Sequence, residues 1–438
     1  MAQEPRIDVE INIEGSLTPE QVRQVAGAFG DPGVWFTTPP VREGRAARPD
    51  FVWELVGDKP HLGHIATGRA NVYLADEHST LTRPLIFADG FGYGPSDLDA
   101  LWRHFNAPYE TGVPGLLDQL RGMGIDVVLL GFDQRQTYVQ ANAAVAVVCV
   151  RRTLAERQGD SPLAVGGVSV GGLVTRYALA RMETERVDHQ TDTYFSYDTP
   201  HLGAWIPLVL QQLAHLHESL HDGAGQAELI RSPAAQQLLW GWVENASYSG
   251  HLTTSSPLRE DFLDDLRRIG WFPRRPYKLG MANGTGDGRG PDLPPGTPVL
   301  DLGQGPLQLV ARIQPNLGEL RNVGAIGFGE PVWTSATSYV APFDGAPGGT
   351  LDAFGRVADA MGLPIQDRFR RSCFVPSVSA IALARDPLQW ESDLYADLRE
   401  LPKDETSLDA FCCDTGNHPH GGVSKALVEW FVGRLAGW

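Results

Sequence analysis

Between residues 84 and 201 the chain repeats one pattern, a short and nearly uninterrupted apolar run followed by a stretch with helical spacing. Residues 84–88 (PLIFA), 125–132 (IDVVLLGF) and 163–168 (LAVGGV) are runs of the kind that fill buried parallel strands, and 193–197 (TYFSY) continues the series. The segments between them, near 113–123, 139–157 and 172–183, carry helical periodicity, the last through Leu173, Tyr177, Leu179 and Met182. Repeated strand–helix units dictate an α/β architecture, a mostly parallel sheet with helices on both faces. Residues 69–77 (RANVYLADE) predict a strand adjacent to 84–88, and Tyr277–Ala282 (YKLGMA) another central strand.

The regularity breaks after residue 204. Residues 205–275 read as largely helical and carry many apolar groups, among them Trp205, Leu210, Leu213, Leu239 and Trp240, which predicts a helical lid or cap above the sheet, or else a plain packed helical subdomain. Residues 284–306 are dense in Gly, Pro and Asp and predict a long loop. Short alternating pieces over 307–341 predict a small antiparallel addition. Cys373–Ile381 returns to the core, and Ser424–Leu435 forms a last amphipathic helix. The expected organisation is an N-terminal extension packed on the core (1–68, with a short helix from Thr18 towards Ala28), a first part of the core (69–204), the lid or cap (205–275), and the remainder of the core with its strand-rich insertion (276–438).

Composition bounds the function classes. With 42 % apolar residues in 438, the chain can bury a sizeable core, and its net charge of −17 disfavours a polyanion ligand. The basic pairs Arg151-Arg152, Arg274-Arg275 and Arg370-Arg371 are too short for a nucleic-acid surface, so no nucleic-acid partner is expected. No stretch approaches 18 apolar residues, so no transmembrane segment is expected. The start, MAQEPRIDVEINIEG, lacks the basic and apolar parts of a secretory signal, which predicts a cytoplasmic protein with reduced cysteines. Cys149 reads as a buried thiol, and a bridge from Cys373 to Cys412 or Cys413 is the alternative to free thiols there. No CxxC pattern occurs, and His418 and His420 have a metal-compatible spacing with no evident third ligand, so no metal and no cofactor are expected.

The chemistry gathers on Gly167-Val168-Ser169-Val170-Gly171, where a strand gives way to a helix. Such a turn is strained, and glycines on either side keep neighbouring segments from colliding with it. Ser169 is the predicted nucleophile, and the Val170 N–H at the new helix terminus a predicted oxyanion donor. The loop after 84–88, Asp89-Gly90-Phe91-Gly92-Tyr93-Gly94, supplies Phe91 N–H as the second donor. It lacks the Lys-Ser/Thr pair and glycine order of a phosphate loop. A base is required. In Gly416-Asn417-His418-Pro419-His420-Gly421-Gly422, His420 is preferred to His418, because two glycines follow it. The acid is Asp198, after TYFSY, or Asp287, in NGTGDG, or a later residue such as Asp344. His201, in Thr-Pro-His-Leu-Gly, reads as a structural loop residue near the site.

GVSVGGLVTRYALA followed by YDTPHLGAWIP resembles the lipase-like α/β-hydrolases, including bacterial serine lipases and the PGAP1-like and LCAT-like branches. The resemblance runs from about residue 84 to 210 and departs from the usual lipase pattern at Asp89, where a histidine often precedes the glycine of the oxyanion loop. It implies an α/β-hydrolase fold with Ser169, His420 and an acid as catalytic triad, and Phe91 and Val170 as oxyanion donors. The implied activity is hydrolysis of a carboxylic ester of a hydrophobic or acyl substrate through an acyl-enzyme. Acyl transfer or lactone closure by the same nucleophile is the nearest alternative, and a non-catalytic binding protein on this fold the alternative from another class.

Overall fold

The computed structural model describes residues 45–438 except 221–224, 246–254, 303–306, 317, 329–331, 338–341 and 390–392. The helix expected from Thr18 and most of the expected N-terminal extension lie outside the described residues.

The chain forms an antiparallel pair, β1 (Phe51–Val56) and β2 (Thr67–Tyr73), and then β3 (Pro84–Ala88). Helices α1 (Leu98–Phe105) and α2 (Leu116–Gly122) lead to β4 (Asp126–Phe132), α3 (Val139–Glu156) to β5 (Leu163–Val168), and α4 (Val170–Thr184) to β6 (Thr191–Tyr197). Helices α5 (Leu208–Leu220), α6 (Gly225–Arg231), α7 (Pro233–Leu238) and α8 (Pro257–Arg268) precede β7 (Tyr277–Thr285). Strands β8 (Pro298–Leu302), β9 (Leu307–Arg312), β10 (Leu320–Phe328) and β11 (Val332–Thr337) follow. The chain closes with β12 (Gly348–Leu351), α9 (Ala353–Met361), β13 (Ser372–Pro376), α10 (Ser377–Ala380), β14 (Ala410–Asp414) and α11 (Lys425–Leu435).

Among the described residues the main sheet has eight strands in the order β1-β2-β4-β3-β5-β6-β7-β14. β2 is antiparallel to both neighbours, whereas β4, β3, β5, β6, β7 and β14 pair in parallel. This order, with β2 alone running against the rest and helices on both faces, is the α/β-hydrolase fold. Side-chain alternation explains why the central runs are apolar throughout. Ile86, Val128 and Leu130 join the core under α3 and α4, while Leu85, Phe87, Val127 and Leu129 join the core under α1, α2 and α11.

Several expectations about elements are corrected. β2 is not adjacent to β3, because β4 lies between them, and the close β2–β4 approach is permitted by Gly68 facing Gly131. Residues 298–302 are a strand rather than loop, their alternating apolar groups hidden in the sequence by flanking Gly and Pro. β1, α1 and the edge strand β14 were not legible as elements, although Asp97 caps α1 by accepting from Ala100 N. β8–β11 form the expected antiparallel addition, a four-stranded sheet in the order β11-β10-β9-β8.

Among the described residues of 205–275, the apolar groups singled out in the sequence are packed. Trp205, Leu210, Leu213, Leu238, Leu239 and Trp240 are all buried. Trp205 stacks on Phe343 at 4.7 Å, Trp240 meets the same ring edge-on at 4.4 Å, and α5 packs against β9 and β10. The four cysteines are free, Cys149 and Cys373 buried and Cys412 and Cys413 half-buried. No helix of the described residues is long and apolar enough to cross a membrane.

Candidate active site

Ser169 sits where β5 ends and α4 begins, with φ 54° and ψ −128°. A non-glycine residue in that region costs about 1–3 kcal/mol of strain, so its surroundings must hold it there. Ser169 N donates to Tyr197 O of β6 at 2.9 Å, and Gly172 N donates back to Ser169 O at 3.1 Å. The turn can approach β3 only because Gly171 has no side chain, since a Cβ there would lie 2.3 Å from Ala88 O.

The structure brings Ser169, His420 and Asp198 together. Ser169 Oγ lies 2.8 Å from His420 Nε2, and His420 Nδ1 lies 2.6 Å from Asp198 Oδ2. A carboxylate can only accept, so Nδ1–H donates to Asp198 and Nε2 is left as the acceptor for the Ser169 hydroxyl. Ser169 is 2 %, His420 1 % and Asp198 0 % exposed, so both bonds and their partners are shielded from competing water.

Asp198 is delivered by the end of β6 and also has a positive φ, 47°. Its N–H donates to Met281 O at 2.7 Å, and its Oδ1 accepts from Asn283 N at 2.9 Å, both in β7. β12 closes over it. A Cβ on Gly349 would lie 2.0 Å from Asp198 Oδ2. The same strand holds the histidine loop: His420 N donates to Thr350 O and Thr350 N to His418 O, each at 2.9 Å. Phe374 of β13 meets the His420 ring edge-on, 4.9 Å between centroids.

The other predicted residues lie elsewhere. Asp287 does not pair with His420. It accepts from Arg289 N at 3.0 Å in a surface cleft beside β14, and that backbone bond holds its carboxyl below the usual range. β7 runs on to Thr285, which carries NGTGDG past the sheet end where Asp198 lies. Asp344 is buried among Trp205 Nε1 and Gln314 N, each donating to it at 2.7 Å, and burial raises it to about 6. His418 Nε2 points to Asp414, 3.7 Å away. His201 is buried with Nε2 3.0 Å from Ser196 Oγ, and burial, then the Arg176 guanidinium, hold it well below the usual imidazole range.

Val170 opens α4, so its N–H is one of the four at a helix start without a partner inside the helix. The loop from Asp89 lies against the turn, a Cβ position on Gly90 falling 3.0 Å from Ser169 Cβ. Asp89 Oδ1 takes the Gly90 N–H at 2.8 Å, while Phe91 N–H has no protein acceptor among the described residues. Burial raises the Asp89 carboxyl, and Arg135, 3.5 Å away, opposes the shift. Arg135 also donates to Tyr93 O at 3.1 Å and thereby braces the loop.

A hydroxyl, an imidazole and a buried carboxylate in series can move a proton off the hydroxyl and return it to a leaving group. Asn283, Gly349, Thr350 and Phe374 shape this arrangement and were not read from the sequence, where no motif marks them. Among the described residues no group of three or more His, Cys, Asp or Glu side chains is arranged to hold a metal ion.

No protein-family model matches the chain, and no curated protein matches it. Among solved structures, the chain is similar to Bacillus licheniformis lipase BlEst2 in its propeptide form, with 16 % identity over 54 % of this chain and 40 % of that one, at a TM-score of 0.29. The mature form gives 18 % identity over 54 % and 73 %, at 0.27. The esterase Est22 gives 13 % identity over 61 % and 82 %, at 0.28. The chain thus spans less than half the length of the BlEst2 propeptide form. Strand order and direction, rather than these likenesses, define the fold.

Proposed function

We propose that the chain is a serine hydrolase that cleaves a carboxylic ester of a hydrophobic or acyl substrate through an acyl-enzyme. The observation that carries this reading is the buried series Ser169–His420–Asp198, at 2.8 and 2.6 Å. In the proposed reaction Ser169 Oγ attacks the ester carbonyl while His420 Nε2 takes its proton. Phe91 and Val170 N–H groups stabilise the oxyanion. The intermediate collapses, the bond to the alcohol breaks, and His420 gives that alcohol its proton. Water then attacks the acyl-serine, with His420 as base, and releases the acid. Asp198 holds the imidazole tautomer and favours the imidazolium that forms. Apolar Phe91, Val170 and Phe374 around the reacting groups support an acyl or otherwise hydrophobic substrate.

One observation favours a second reading. Ser169 and His420 are almost fully covered. A nucleophile screened from bulk water suits transfer of the acyl group to a substrate hydroxyl, or lactone closure, with the alcohol taking the place of water.

p-Nitrophenyl esters of increasing chain length, with S169A as the blank, test both. Ser169-dependent turnover rising from acetate to octanoate is expected. Preference for acetate contradicts the hydrophobic substrate. Turnover accelerated by an added alcohol, with its ester as product, favours transfer. A folded protein without Ser169-dependent turnover on any ester leaves the non-catalytic binding reading.

A further inference from the structure

Strands β7 and β14 pair in register until Cys413 meets Ala282, and then Asp414 meets Thr285. Residues 283 and 284 therefore have no partner on β14. Bulges of this kind re-aim a side chain at a sheet end, and this one points Asn283 between the two loops that carry Asp198 and His420.

Asn283 is fully buried and bonds to both loops. Its N–H donates to Asp198 Oδ1 at 2.9 Å. Its carbonyl accepts from His418 N at 2.8 Å, and its Nδ2 donates to Gly422 O at 2.8 Å. These contacts fall two residues before and two residues after His420. Tyr197 OH also donates to Gly422 O, at 2.7 Å, from the residue preceding Asp198. One side chain and its own backbone thus span the acid and both flanks of the base.

We infer that Asn283 is a positioning residue that sets the distance between Asp198 and His420. Its bonds go to Asp198, His418 and Gly422 rather than to the Ser169 hydroxyl, so it acts through the imidazole. This inference rests on the serine-hydrolase reading for its kinetic consequence, but not for its structural one. Without the Nδ2 donor, the Gly421–Gly422 side of the loop keeps the Tyr197 hydroxyl on Gly422 O and the His104 ring on Gly421 O but loses its side-chain tie to β7, and the His420 ring can drift from Asp198. Small misplacements of a proton-transfer group reduce turnover steeply.

The test compares wild type, N283A and S169A. kcat and KM are measured on a p-nitrophenyl ester, and the low-field proton shared by His420 and Asp198 is followed by NMR in the resting protein, with H420A to assign it. In N283A we expect kcat to fall about tenfold, with KM within about twofold, and the low-field resonance to move upfield or broaden away. A folded N283A with wild-type kcat and an unmoved resonance overturns the inference, even if its melting temperature drops. If N283A does not fold, N283S is read by the same two measurements. If S169A turns over as fast as wild type, the serine reading fails, and the resonance alone decides the role of Asn283.

Discussion

Ser169 sits on a turn between two elements adjacent in the chain, β5 and α4, whereas the loop of His420 is held by strands far from it in sequence. The serine turn is bounded by β5 and α4, and its glycines fit it against β3 and Asp89. The histidine lies 251 residues from the serine and 222 from Asp198, and its loop is held by Thr350 and Asn283 on two strands that share no motif with it. A local device survives in sequence as a pattern, while a device assembled across the sheet leaves only scattered polar residues and glycines. Changes on the two sides should therefore fail differently.

The largest effect is expected at the proposed nucleophile. Ser169→Ala should leave the fold intact and lower ester turnover by about 10⁴-fold or more, read against buffer hydrolysis. Next comes the choice of acid. Asp198→Asn should reduce kcat by about 10³- to 10⁴-fold, because the imidazole loses its tautomer control. Asp287→Asn, on a cleft that does not reach His420, should stay within about twofold of wild type. Equal losses for both would remove the distinction between the two carboxylates.

Two glycine substitutions then separate the halves. At Gly171 a methyl meets the β3 backbone at 2.3 Å, so Gly171→Ala should destabilise the protein by about 1–3 kcal/mol or more, measured by urea unfolding. At Gly349 a methyl meets the Asp198 carboxylate at 2.0 Å, so Gly349→Ala should cost about 100-fold in kcat, with a smaller loss of stability. A Gly349→Ala protein with full activity would show that β12 does not hold the acid in place.

That contrast also explains what could be read in advance. The strand–helix repeats from 84 to 201 were legible because each strand is buried on both faces; Ser169 stood out by its glycine turn, whereas His420 and Asp198 were legible only as candidates beside His418, Asp287 and a later carboxylate. Asp287 competed with Asp198 because spacing alone does not say how far β7 runs beyond Ala282. β14 was illegible, since AFCCD is five residues long and lies at a sheet edge. The sequence could not say what the apolar groups after 204 pack against, because partners such as Phe343 for Trp205 and Trp240 follow a hundred residues or more later.

The smallest effect lies in that later region. Asp344 ties Trp205 to the segment that follows β9, through Gln314 N, and burial raises its carboxyl to about 6. The ordinary value for this group is 3.8, so the stability it contributes is present below that value and lost as pH rises through about 6. Between pH 5 and pH 8 the stability difference between Asp344→Asn and wild type should shift in favour of the variant by about 1 kcal/mol, measured by urea unfolding at both values. A difference constant with pH would mean that Asp344 titrates elsewhere.

The most direct measurement is covalent. Wild-type protein treated with a fluorophosphonate, digested and read by mass spectrometry should carry the adduct on the Ser169 peptide. The adduct should be absent from S169A and strongly slowed in H420A. A folded wild-type protein that takes no adduct, or takes it on another residue at the same rate in S169A, would contradict the claim that Ser169 is the nucleophile.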